Sequence, residues 1–148
     1  MLTMKGKYGL KALVYLAGID AGRRAQVGEI AEARGIPRKF LESILSELRN
    51  AGYVSARKGP QGGYCLARPA VDIIVGKVIR AIDGPLAPIA CASRSGYSPC
   101  PDCDETTCEI RHIMVKVRMA ICDVLDHCTL ADLRAHGHLL AMVDEPCS

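Results

Sequence analysis

Apolar positions along the first fifty residues recur at helical spacing. Tyr8, Ala12, Tyr15, Leu16 and Ile19 fall on one stripe and predict a helix from Tyr8 to Ile19. Gly22-Arg23-Arg24 follows as a polar turn. Val27, Ile30 and Ala31 then face inward from a short helix over Val27 to Arg34, stopped by Gly35, a residue able to take the left-handed conformation that ends helices. Pro37 suits a first helical position, where its missing N–H costs nothing. Phe40, Leu41, Ile44, Leu45 and Leu48 continue from it as the buried stripe of a third helix, with Gly52 as its stop. Helix, tight glycine turn, helix is the helix-turn-helix pattern.

Two short strands come next, Tyr53 to Arg57 and Tyr64 to Ala67, around the glycine-rich reversal Lys58-Gly59-Pro60-Gln61-Gly62-Gly63. They predict a hairpin wing. Val75, Val78, Ile79 and Ile82 form a further helical face closed by Gly84 and Pro85, whereas residues 86–107 follow neither the helical nor the strand period. That irregular stretch is long for a loop in a compact domain, so something other than a core must order it. Thr106 and Glu109 fit a capping box, with Cys108 in the first turn of the helix it opens. Ile110, Met114, Val117, Ile121, Val124 and Cys128 follow at alternating spacings of four and three, the seam of a two-helix interface. Thr129-Leu130-Ala131-Asp132-Leu133 opens a last short helix, and residues 135–148 carry no pattern. The chain therefore reads as mainly α, a winged helix-turn-helix with a long C-terminal dimerisation helix. Its parts are a reading region at 1–68, a connecting helix and cysteine-rich loop at 69–108, the dimerisation helix and its successor at 109–134, and a tail.

Charge sharpens this picture. Residues 1–68 carry twelve Lys or Arg against five Asp or Glu, whereas residues 69–148 carry seven against eleven. A basic first half suits a polyanion, because cations that neutralise phosphates release condensed counterions. In a helix-turn-helix the start of the second helix meets base edges. Here that start offers Arg38, Lys39, Glu42 and Ser43, and the wing adds Arg57 and Lys58. Arg and Lys pair with guanine and Glu accepts from cytosine, so the set is competent to read double-stranded DNA. A dimer would read a palindromic operator.

Four cysteines, Cys91, Cys100, Cys103 and Cys108, fall within eighteen residues between the reader and the seam. Four thiolates can hold zinc or an iron-sulfur cluster. A thiol at the start of a helix faces the positive end of the helix dipole, which favours the thiolate that binds metal. Metal-free redox-switch cysteines are the further alternative, and a winged helix that binds protein instead of DNA is another. Cys65, Cys122 and Cys128 read as small buried hydrophobes, Cys147 as a free tail thiol, and His136 and His138 as solvated.

The longest apolar run, Ala12 to Ile19, is too short to span a membrane and is followed by no convincing cleavage pattern, which predicts a cytoplasmic chain. Apolar residues at 49% and charged residues at 24% are the composition of a folded protein. No nucleophile-base pair, phosphate-binding Gly-Lys loop or H-E-x-x-H motif is present, so an enzyme is not expected.

The residues resemble the IscR, NsrR and RirA type of bacterial winged-helix regulators, the Rrf-two family. The resemblance lies in Gly6-Lys7-Tyr8, Ile30-Ala31 through Gly35-Ile36, Phe40-Leu41-Glu42, and Gly59-Pro60-Gln61-Gly62-Gly63-Tyr64 in the wing. It extends to Val75-Gly76-Lys77-Val78-Ile79 and Thr129-Leu130-Ala131-Asp132-Leu133. It implies a homodimeric transcription factor in which three cysteines of each subunit hold an iron-sulfur cluster, 2Fe-2S or 4Fe-4S, beside the dimer helix. On that pattern Cys91 matches the first ligand, Cys108 the third, and Cys100 or Cys103 the second, the other being a possible fourth. Arg111 and Tyr8 stand where branches of the family carry a histidine or a carboxylate ligand, and a four-cysteine set would make both departures harmless.

Overall fold

A computed structural model describes residues 2–136; Cys147 and His138 lie outside the described residues. Helix α1 spans Met4–Ala17, α2 Val27–Arg34, α3 Arg38–Asn50, α4 Val75–Asp83, α5 Glu109–Leu125 and α6 Leu130–His136, with a two-stranded sheet of β1 (Val54–Arg57) and β2 (Gly63–Leu66) after α3. The mainly helical reading and the helix-turn-helix with its wing are both present.

Helix α1 starts four residues earlier than the apolar stripe predicts and stops before Ile19. The Thr3 side chain caps it by accepting the Gly6 N–H at 3.3 Å. The Thr3 N–H and hydroxyl both donate to the Asp83 carboxylate, at 2.8 and 2.6 Å, which ties the start of α1 to the end of α4. The buried face is Gly6, Gly9, Ala12, Leu13 and Leu16, with Tyr8 and Tyr15 half-buried beside it. Glycines carry no apolar signal, yet here they let α4 close in. A Cβ at Gly6 would stand 2.1 Å from Asp83 Oδ2, and one at Gly9 2.5 Å from Ile82 Cδ1.

The α2–α3 turn follows the sequence reading at Gly35, which is left-handed with φ 63°. Pro37 is the residue before α3 and not its first member. Leu41, Ile44, Leu45 and Leu48 are fully buried, whereas Phe40 is 38% exposed and packs edge-on against Tyr8 with ring centroids 5.6 Å apart. Phe40 sits at the margin of the stripe, where one aromatic ring of α1 is its cover. The main core also takes in Leu13, Ile30, Ile73, Val78 and Leu130, so α6 closes onto the same interior as α1 to α3.

The wing strands pair antiparallel from Val54↔Leu66 to Arg57↔Gly63, one residue displaced from the predicted limits. Residues between α1 and α2 hold the hairpin. Ala25 and Tyr64 exchange backbone hydrogen bonds at 2.9 and 2.8 Å, and Gln26 Nε2 donates to the Gly62 carbonyl at 3.0 Å. Gly63 has φ 119°, and a Cβ there would lie 2.6 Å from the Ala25 carbonyl oxygen, so both torsion and space demand glycine.

Backbone bridges then fold the C-terminal part back. Val75 N–H donates to Cys128 O at 2.9 Å and Leu130 N–H to Ile73 O at 2.8 Å. Thr129 and Asp132 cap α6 reciprocally: the Asp132 N–H donates to Thr129 Oγ1 at 3.1 Å and the Thr129 N–H to Asp132 Oδ2 at 2.9 Å. Val75, Ile79 and Leu86 form a second small core under Ile121, Cys122, Leu125 and Cys128. Replacing Gly63 by Ala should lower stability by about 2 kcal/mol through a strained positive φ and the clash with Ala25, read as a fall in the urea midpoint at unchanged slope.

Candidate DNA-reading surface and cysteine cluster

Four buried side chains fix one face of α3 in the core, which turns Arg38, Lys39, Glu42 and Ser43 outward; all four are exposed. Arg38 Nε stands 3.4 Å from Glu42 Oε1, one turn along the helix, so the cation and its acceptor partner each other when no ligand is present. Arg57 and Lys58 are exposed at the end of β1 and the turn beyond it. Arg24 Nη1 steadies the base of that hairpin by donating to the Ser55 carbonyl at 3.2 Å.

Helix α5 has two distinct sides. One faces the protein. Arg80 reaches from α4 to Asp126 with Nη1 at 2.6 Å and Nη2 at 2.9 Å, and Nη2 lies 3.3 Å from the Cys122 sulfur. The Asp126 carboxyl is held below the usual carboxylate range, chiefly by the Arg80 hydrogen bonds, and Arg80 is raised in turn. Arg118 Nη1 donates to the Ala92 carbonyl at 2.6 Å, which fastens the middle of α5 to the short turn Ala90–Ala92. The other side is apolar and open. Ile110 is 63% exposed and Val124 68%, Val117 is exposed, and Met114 and Ile121 are half-buried at its margin. Ile113 belongs to the same stripe and was absent from the predicted seam. Cys128 lies beyond the helix, which ends at Leu125, so the seam is one turn shorter than its spacing suggests.

Each candidate cysteine sits in the segment between α4 and α5 or at its end. Cys91 is buried, Cys100 and Cys108 are half-buried, and Cys103 is exposed. Thiol hydrogen bonding, first to Cys100, together with shielding from water and a hydrogen bond to Cys108, pushes the Cys103 thiol up to about 12. Cys103 thus neighbours both Cys100 and Cys108. The Cys91 backbone, and not its sulfur, is joined to the start of α5 through Arg111, whose Nε donates to the Cys91 carbonyl at 2.9 Å. Among the described residues no group of three or more His, Cys, Asp or Glu side chains is arranged so that it could hold a metal ion.

The start of α5 departs from the expected capping box. Cys108 itself is the cap, its sulfur accepting the Arg111 N–H at 3.4 Å. Thr106 is instead taken by Asp104, whose Oδ1 accepts the Thr106 N–H at 2.9 Å and its hydroxyl at 2.6 Å. A carboxylate two residues away is a nearer and charged acceptor. Glu105 was also missed. It accepts the Tyr97 hydroxyl at 2.5 Å and the Cys100 N–H at 2.8 Å, and these bonds, in that order of weight, keep its carboxyl low and its partner Tyr97 high. Neither Glu105 nor Arg111 gives a periodic signal that sequence reasoning could have used. Cys65, Cys122 and Cys128 are half-buried, the last two against the second core.

Comparison with known proteins now bears on this geometry. Residues 2–136 match the model of the Rrf2 family, described as an iron-dependent transcriptional regulator. This chain belongs to the Rrf2 family. A Rhodobacter capsulatus protein named as an rrf2-like HTH-type transcriptional regulator is 42% identical, over 98% of this chain and 99% of its own length. Among solved structures, that of CymR, the global cysteine regulator of B. subtilis, aligns with a TM-score of 0.76 at 30% identity, over 92% of this chain and 97% of CymR. IscR of T. potens aligns with a TM-score of 0.72 at 32% identity, over 98% and 93%. Rrf2 proteins are transcriptional regulators and not enzymes, and the winged-helix architecture here is theirs. Among the described residues no helix is long and apolar enough to cross a membrane.

The Arg80–Asp126 pair gives a pH-dependent prediction. A depressed carboxyl stabilises the fold above its unfolded value, near 3.8, and that contribution disappears as pH falls through the lower folded value. Asp126→Asn should cost about 1 kcal/mol at pH 7, with the gap to the parent closing in urea titrations taken below pH 3.8.

Proposed function

We propose that this Rrf2 protein is a homodimeric, sequence-specific DNA-binding regulator whose grip on a palindromic operator is set by an iron-sulfur site on Cys91, Cys100, Cys103 and Cys108. Residues 1–68 read DNA, 69–108 carry the connecting helix and thiol loop, and 109–134 form the seam and the helix behind it. The single observation that carries the reading is that Cys108 caps the same helix whose outer face is the open apolar stripe. Metal-binding chemistry and subunit pairing thus begin at one residue.

Four thiols are donors of the type the group takes, although no three of them are arranged here so that they could hold a metal ion. The Cys103 thiol neighbours Cys100 and Cys108, the Cys91 backbone is tied to α5 through Arg111, and the Cys108 sulfur receives a helix N-terminal N–H. A bound cluster would supply iron-thiolate bonds linking the irregular loop to the start of α5. The chain's own residues carry the consequence onward. Arg118 and Arg80 fix α5 to the Ala90–Ala92 turn and to α4, and α4 packs against α1 and α3. A change in how α5 meets its partner copy therefore reaches the paired α3 helices as a change in their spacing or angle, which is a coupling free energy between two sites. Arg38, Lys39, Glu42 and Ser43 address base edges, while Arg57 and Lys58 address phosphates.

The family's description as iron-dependent favours iron over structural zinc. Anaerobically purified protein should be coloured, with iron and acid-labile sulfide, and Cys91→Ala or Cys108→Ala should remove the colour. Colourless protein carrying zinc, or metal-free protein that cross-links on oxidation, would overturn the cofactor assignment. Binding to a palindromic operator should weaken steeply with salt, and Lys58→Ala should reduce the magnitude of the logarithmic salt slope by about 1. Equal binding of an isolated half-site would count against the dimer.

A further inference from the structure

Two residues without sulfur contact three of the four candidate ligand cysteines, Cys100 and Cys91 by side chain and Cys108 by a backbone N–H. Glu105 Oε1 accepts the Cys100 N–H at 2.8 Å, and its Oε2 accepts the Tyr97 hydroxyl at 2.5 Å. Arg111 donates from Nε to the Cys91 carbonyl at 2.9 Å, and the same atom stands 3.7 Å from Glu105 Oε2. Its backbone N–H points at the Cys108 sulfur from 3.4 Å. Glu105 and Arg111 thereby touch Cys91, Cys100 and Cys108 at backbone or sulfur while leaving every thiol available to a ligand. The Glu105 side chain is only 21% exposed, although it lies in a segment with no buried apolar core beyond the turn at Cys91 and Ala92.

We infer that Glu105 and Arg111 are positioning residues, a metal-independent clasp that holds the thiol loop against the start of α5 and so limits how far its sulfurs can part before a ligand binds. The inference rests on the reading that these cysteines form one ligand site. Its physical content is preorganisation: an irregular segment that must be ordered at the moment of binding loses affinity to conformational entropy, and one already ordered does not. The two residues divide the work. Glu105 gathers the Tyr97–Cys100 stretch, and Arg111 joins Cys91 at one end of the loop to Cys108 at the other. A planar guanidinium suits the second task because Nε, flanked by a charged carboxylate, can keep a directed bond to a carbonyl, which a lysine ammonium does not reproduce.

The test uses the full chain, stripped of metal and fully reduced, with phenylarsine oxide as the probe, since a trivalent arsenical binds tightly only where thiols stand side by side. Amide exchange at Cys100 is followed in parallel. Glu105→Ala and Arg111→Ala should each weaken arsenical binding at least tenfold, and Glu105→Ala should speed exchange at Cys100 at least tenfold, while amides of α1 and α3 exchange as in the parent. Glu105→Gln, which retains an acceptor for the Cys100 N–H, should restore slow exchange there, and Arg111→Lys should not restore arsenical affinity. Tyr97→Phe removes one hydroxyl from an exposed side chain and leaves the fold intact; it should give a smaller acceleration at Cys100. Parent-like arsenical binding and exchange in both alanine variants would overturn the clasp. Reconstitution with ferrous iron and sulfide separates the two claims. If the parent takes up no cluster while the arsenical and exchange effects appear as stated, the clasp stands and the iron-sulfur reading falls. If the alanine variants load as fast as the parent and give the same visible spectrum, the clasp falls and the iron-sulfur reading stands.

Discussion

The close approach of α1 to α4 is the contact on which the functional geometry depends. It exists because Gly6 and Gly9 present no Cβ to Asp83 and Ile82, and because Thr3 binds Asp83 through both its N–H and its hydroxyl. Helix α1 packs at the same time on α3, β2 and α6, so α4 becomes part of the body that presents the reading helix. Helix α4 in turn carries Arg80, the residue that grips α5 at Asp126. Without the glycine face α4 would ride higher on α1, and the link between the DNA-reading face and the cysteine-capped helix would lose its rigidity. Interiors packed at crystal-like density transmit small displacements instead of absorbing them, and that property makes such a relay physically reasonable.

The parts of the molecule with a repeating apolar pattern were legible in the sequence. Helix α2 matched to the residue, because three apolar positions and a terminal glycine leave little choice. The wing was placed within one residue by its glycines, and the outward stripe of α5 by spacings of four and three. Errors arose where the deciding atom is absent or polar. The α1 face was misplaced because glycines, silent in any hydrophobic count, mark its closest contact. Phe40 was assigned to the core by its place in the helical stripe, whereas it lies at the margin of that stripe, partly exposed and edge-on to Tyr8. The capping box failed at Thr106 because the neighbouring Asp104 carboxylate takes the Thr106 N–H, which Glu109 would have accepted, and turns the hydroxyl that would have faced the helix N–H groups.

The thiol loop shows the same division more sharply. Its cysteines were visible from composition and spacing, and Cys103 neighbours both Cys100 and Cys108, although no three of them are arranged so that they could hold a metal ion. What orders the loop was not visible, since it is the work of Glu105, Arg111 and Tyr97, charged or amphipathic residues that in any other context would be read as solvated surface. Arg111 is the instructive case. Judged only as a ligand it is a defect, because a guanidinium cation has no lone pair to offer a metal. Judged by its hydrogen bonds it occupies the junction between the two ends of the loop.

Helix α5 is the element on which the proposed sensing and pairing would converge. Its inner face combines polar anchors, Arg118 to a backbone carbonyl and Asp126 to Arg80, with a small apolar patch of Ile121, Cys122 and Leu125 on the second core, and no residue of α5 is fully buried. Burial of aliphatic side chains is the dominant gain in association, and Ile110, Ile113, Val117 and Val124 leave that gain unrealised within one chain. On the proposed function the occupant is a second copy, offering the same stripe about a twofold axis, which lets each residue meet its equivalent without creating an open-ended chain of contacts. On the proposed function, a helix held inwardly by a few polar bonds and a small apolar patch, and outwardly by a seam, can shift along that seam once the tether at its N-cap changes. Cys108 is that cap, so a ligand bound there would have the greatest leverage over such a pair.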